Sequence, residues 1–228
     1  MPQTVNYEVK VFRTAFIWAY DHDLISKVPT KKIKYLKVHL KRQAKLLSFE
    51  DCRKFLKAAA ALAKLDKSTE VYSKVFRFIL NTGLRAGEIC NLTWEDVDMR
   101  NNILKIQAKK DWSPKTYSRQ FFLNESTMQV LNSIRDQNGY VFKTNDGSRL
   151  DNDRLRRAVI RIANLAGLRG FTRVHDLRHS FNSLMQMEGV DIATMGKILG
   201  HRDIETTMIY THQTDEHLKK SINRINIK

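Results

Sequence analysis

Apolar residues recur at helical spacing through most of the chain, and this pattern predicts its elements in order. A first helix is expected over about residues 5–20, with Val9, Phe12, Phe16 and Trp18 among its large apolar positions and a stop near Pro29. A second opens at Ser48, where Asp51 stands at the capping-box position, and runs to about Leu62. A third covers about 70–80 and ends at Gly83, a residue suited to a left-handed stop, and a short helix follows to near Trp94. The periodicity then changes to alternation at Ile103, Leu104 and Ile106 and again over 120–123, with Ser113-Pro114 between them. That predicts a β-hairpin with a long polar connection. Helices are expected at about 125–136, 151–166, 175–188, 191–199 and 204–212, with a short strand at Tyr140-Val141-Phe142 and a turn at Asp146-Gly147. The fold class is therefore mainly α with a small antiparallel β-sheet, an α+β arrangement.

Charge adds a partner to this outline. Forty Lys and Arg against 24 Asp and Glu leave a formal charge of +16, spread along the chain. Such a field favours a polyanion, and double-stranded DNA is the default. No run approaches the roughly 18 apolar residues that a membrane span needs, and the first residues lack the pattern of a secretory signal, so a cytoplasmic protein without a membrane partner is expected. Cys52 and Cys90 have no metal-ligand spacing and fall in apolar helical patterns, so they read as buried free thiols. The carboxylates Glu88, Asp96 and Asp176 are scattered and form no ligand set, so neither metal nor other cofactor is expected.

Chemistry concentrates late in the chain. His175 and Arg178, three apart, share one helix face beside Arg173 and His179, while Leu177, Phe181 and Leu184 supply the core-facing stripe. His201 follows Leu199-Gly200, and Tyr210 comes nine positions later. Far upstream, Arg85 lies in Thr82-Gly83-Leu84-Arg85-Ala86-Gly87-Glu88.

This ordered set resembles the tyrosine recombinase (phage integrase) family over about residues 46–215. The resemblance implies that family's catalytic-domain fold and a site-specific recombinase or integrase that cuts and rejoins DNA through a 3′-phosphotyrosyl intermediate. Tyr210 is then the nucleophile, His175 the base, and Arg85, Arg178 and His201 the ligands of the phosphate. Guanidinium forks suit that task because they match two non-bridging oxygens in geometry as well as charge. The family also uses a hairpin lysine to protonate the leaving 5′-oxygen, and two fit. Lys109 keeps the family's common distance from Arg85, 24 positions, whereas Lys115 keeps the spacing to Arg119 at the start of the second strand. The hairpin looks lengthened, which favours Lys115. Lys109, Lys110, Arg119 and Arg173 are then expected on DNA.

The region before the motifs is short for this family. Residues 1–45 resemble a partial core-binding (SAM-like) helical region with a basic linker, and residues 46–228 the catalytic domain. Beyond Tyr210, Leu218, Ile222 and Ile225 are spaced for a packing helix, a place where the family docks neighbouring protomers, so self-assembly on DNA is expected there. The other readings are relaxation of the type IB topoisomerase kind, which shares the chemistry but needs no synapsis, and a non-catalytic DNA-binding remnant.

Overall fold

A computed structural model describes residues 2–37, 45–114, 118–134 and 138–199. The chain divides into two compact units, residues 1–43 and 44–228. Lys115, His201, Tyr210, the helix expected at 204–212 and the tail lie outside the described residues.

The first unit is built on α1 (Pro2–Asp21), which buries none of its residues. An extended segment runs back along it. Asn6 exchanges hydrogen bonds with the Leu36 main chain at 2.9 and 2.8 Å. The Arg13 guanidinium donates to the Thr30 carbonyl and stacks over the Tyr35 ring at 4.8 Å. Trp18 stacks on His22, one helical turn on, at 4.3 Å.

In the second unit, α2 (Phe49–Leu65) and α3 (Glu70–Thr82) pack together, and α3 also packs on α5 (Glu125–Asn132) and α7 (Val174–Met187). The short α4 (Ala86–Cys90), α6 (Asn152–Leu165) and α8 (Ile192–Leu199) complete the described α-helices. Phe55, Phe76, Phe78, Ile79, Leu104, Phe142, Leu155 and Phe171 anchor one continuous core. Burying that much apolar surface is the main stabilising term. Cys52 and Cys90 are free and buried, and burial pushes both thiols up to about 11.

Local signals set the helix ends as expected. Ser48 caps α2 in a reciprocal box with Asp51, whose amide donates to the Ser48 hydroxyl at 3.1 Å. Gly83 ends α3 in the left-handed region at φ 62°.

The sheet differs from the expected hairpin by one strand. β1 (Val97–Asp98) pairs with β2 (Ile103–Ile106), which pairs with β3 (Arg119–Phe122), all antiparallel. The expected strand at 140–142 forms a single bridge, Thr93 to Tyr140, and a Val141 amide bond to the Leu92 carbonyl at 2.9 Å. Its apolar residues are buried as the pattern requires, but the segment lies against a turn that offers no ladder. Among the described residues no helix is long and apolar enough to cross a membrane.

Candidate active site

Three elements meet where the sequence motifs predict chemistry: the turn from α3 into α4, the start of α7, and the end of α8. Arg178 joins them. Its side chain is 1% exposed, with Nη1 donating to the Gly83 carbonyl at 2.6 Å and Nη2 to the Leu199 carbonyl at 3.0 Å. A buried guanidinium is tolerable only where its donors are satisfied, and main-chain carbonyls from two elements do part of this here.

Gly83 makes that junction possible. A Cβ at this position would fall on the Phe181 ring, 2.8 Å from Cε1, and 3.2 Å from Leu199 Cδ2. The positive φ adds backbone strain for any L side chain. Gly83→Ala is expected to destabilise the protein by about 2–4 kcal/mol, read as a lower denaturation midpoint at unchanged m-value.

Arg85 begins α4 and is fixed by Glu88, one turn on. The Arg85 amide donates to Glu88 Oε2 at 2.9 Å and its Nη1 to Oε1 at 3.3 Å. Glu88 is 2% exposed and carries a second arginine, Arg119, whose Nη1 and Nη2 meet its two oxygens at 2.9 Å each. Burial alone raises the Glu88 pKa. The Arg119 hydrogen bonds and charge, the Arg85 amide and the Arg178 charge outweigh it, holding the carboxyl below its usual range.

His175 and His179 lie one turn apart on α7 with their rings edge to face at 4.4 Å. Loss of hydration, then repulsion from His179, Arg178, Arg85 and Arg173, pushes His175 down to about 4. These causes also define the neighbourhood, because four cationic or titratable groups act on one ring. His175 keeps solvent access on α7, and its imidazole is neutral at pH 7.

Arg85, His175 and Arg178 come together, and Arg173 is exposed at the N-terminus of α7. Lys110 is exposed on the hairpin. Lys109 is anchored on the turn after α4, where its Nζ donates to the Asn91 carbonyl at 2.7 Å, to Thr93 Oγ1 at 2.8 Å and to the Asp96 carboxylate. Arg119, expected on DNA, is buried against Glu88 instead. The physical reason lies in the register: Arg119 pairs with Ile106, which faces the core, and cross-strand partners share a face. Register rather than charge decides the case, since an arginine at an inward strand position demands a buried acid.

Comparison with known proteins identifies the family. The phage integrase family model matches residues 45–217. The chain belongs to the phage integrase family of tyrosine recombinases. Tyrosine recombinase XerA of Thermococcus onnurineus is 30% identical over 223 residues, which cover 96% of this chain and 74% of that protein. Tyrosine recombinase XerC of Thermodesulfovibrio yellowstonii is 26% identical, covering 94% and 73%. Among solved structures, the Tn1549 transposon integrase in complex with a circular intermediate DNA superposes with a TM-score of 0.78 at 20% identity, over 98% of this chain and 79% of that one. XerH site-specific recombinase bound to its difH substrate gives 0.66 at 26% identity, over 92% and 63%.

Proposed function

We propose that this protein is a site-specific DNA recombinase that breaks and rejoins strands through Tyr210. The observation that carries the reading is the convergence of Arg85, Arg178 and a neutral His175 at one junction, in a chain whose recombinase relatives match it over most of its length. The relatives favour this reading over relaxation alone or non-catalytic binding.

Each residue has a task in the reaction. The Tyr210 oxygen attacks the scissile phosphorus, forming a P–O bond to the phenol and breaking the P–O5′ bond. His175 takes the phenolic proton, which a phenol with a pKa of about 10 does not lose unaided at pH 7. Arg85, Arg178 and His201 neutralise the charge that builds on the non-bridging oxygens. A hairpin lysine gives O5′ its proton, and a second duplex end reverses the steps with the phosphodiester energy conserved. Arg173 and Lys110 are positioned by exposure to meet flanking phosphates. Residues 46–228 act as the catalytic domain, residues 1–45 as a core-binding helical region with a basic linker, and the tail with Leu218, Ile222 and Ile225 as the means of assembly on DNA.

Lys115 is the preferred acid, because Lys109 already has three acceptors in the turn after α4. A duplex carrying sulfur in place of the scissile O5′ decides between them, since a thiolate leaves without a proton. Lys115→Ala is expected to lose about 10²-fold in cleavage of the normal phosphate and to recover on the sulfur substrate. Recovery by Lys109→Ala instead would reassign the role.

A nicked suicide duplex tests the function as a whole. The protein should accumulate a covalent complex that survives denaturant and, on intact paired sites, exchange strands between duplexes. Relaxation of supercoils without exchange would contradict the recombinase reading.

A further inference from the structure

Asn182 has no task in the chemistry above. It lies on α7, is 0% exposed, and neither its Nδ2 nor its Oδ1 finds a hydrogen-bond partner among the described residues. Folded interiors seldom leave an amide in that condition, because each of its donors and acceptors gives up water for nothing in return. Asn182 follows Arg178 by four positions, so the two share a side of α7, while Leu177 and Leu184 turn the opposite side to the core. The side with Arg178 receives α8: Arg178 Nη2 donates to the Leu199 carbonyl at 3.0 Å, and Phe181 and Leu199 both close on Gly83. α8 is thinly held there. Its buried residues are Met195 and Leu199, and both lie outside the continuous core.

We propose that Asn182 is a weak point built into the seat of α8, so that this helix lifts and reseats while the core around α3 stays folded. With α8 closed, the amide is buried and unpaired. With α8 lifted, water satisfies both ends of it, so opening recovers hydrogen bonds that the closed state forgoes. A leucine at the same place would do the reverse, since opening would then expose apolar surface. Helices with few buried apolar contacts are the ones that open below the free energy of global unfolding. The chain runs on from α8 to His201 and Tyr210, so the consequence for catalysis rests on the reading of those residues given above, whereas the opening itself does not.

Hydrogen–deuterium exchange of the full chain provides the test, read by mass spectrometry on peptides from α8 and from α3. In the wild type, α8 amides should exchange at least about tenfold faster than those of α3, which carries Phe76, Phe78 and Ile79 of the core. Their exchange should also depend less steeply on urea, the mark of an opening that exposes less surface than global unfolding. Asn182→Leu keeps the branching of the side chain and removes both polar atoms. It should slow α8 exchange by on the order of 10–100-fold, the span that an unpaired buried amide contributes. The wild-type comparison of α8 with α3 covers the case in which the leucine variant does not fold.

Two results would overturn the proposal. If α8 and α3 exchange together with one urea dependence, α8 has no opening of its own. If α8 exchange is unchanged or faster in a folded Asn182→Leu protein, the amide is already paired, by a bound water or otherwise, and does not weaken the seat. Failure of the wild type to form any adduct with DNA would instead remove the recombinase reading, and it would leave both exchange results standing.

Discussion

Tyr210→Phe is expected to bind duplex DNA like the wild type and to form no covalent complex with it. The substitution removes one oxygen and leaves the formal charge of +16 untouched, so affinity and its salt dependence should persist. What disappears is the nucleophile, and no neighbouring group identified at the site can replace a phenolic oxygen in attack on phosphorus. The same chemistry sets a pH dependence. His175 is held well below its ordinary range, to about 4, first by loss of hydration and then by His179 and three neighbouring arginines. Its base form therefore persists as pH falls from 7 through 6, and single-turnover adduct formation should show no step near pH 6.5 from this ring. Loss of the base form should appear only as pH approaches 4. A Tyr210→Phe protein that still forms an adduct would send the search to another tyrosine.

Arg178→Lys should lower adduct formation by on the order of 10²–10³-fold, although it keeps the charge. The reason is geometric. Two nitrogens of one rigid plane reach carbonyls on different elements, Gly83 at 2.6 Å and Leu199 at 3.0 Å, in a setting only 1% exposed. A single ammonium on a flexible stem cannot span both carbonyls and meet a phosphate as well. One buried carbonyl then loses its partner, which costs about 1–3 kcal/mol of stability. Thermal melting and cleavage should therefore fall together. Cleavage within about threefold of the wild type would show that a point charge suffices.

Sequence was informative here to different degrees, and the differences have physical causes. The α2 cap at Ser48 and Asp51 and the left-handed stop at Gly83 are encoded within a few residues, and both appear as the pattern predicts. The placement of His175 and Arg178 three apart on one helix was legible from spacing, whereas their unequal burial was not. Glu88 stands one turn after Arg85, and both the Arg85 amide and its guanidinium bond to it. The strand at 140–142 was misread because an apolar run records burial, whereas a ladder depends on a neighbour distant in sequence. β1 went unpredicted for the complementary reason: two residues, Val97 and Asp98, are too few to show alternation.

Arg119 illustrates a third case. Its charge suggested DNA, and only its register beside Ile106 reveals that it points inward to Glu88. Lys109 is similar, since nothing local announces that Asn91, Thr93 and Asp96 gather around its ammonium. In both, long-range pairing decides what a basic side chain does.

Mapping the protein–DNA linkage tests the central claim most directly. The wild-type protein is trapped on a nicked suicide duplex, digested with protease and nuclease, and the modified peptide is sequenced by mass spectrometry. The expected product is a 3′-phosphonucleoside carried on the oxygen of Tyr210. A linkage at a different residue, a 5′-phosphoryl linkage, or no linked peptide at all would contradict the account.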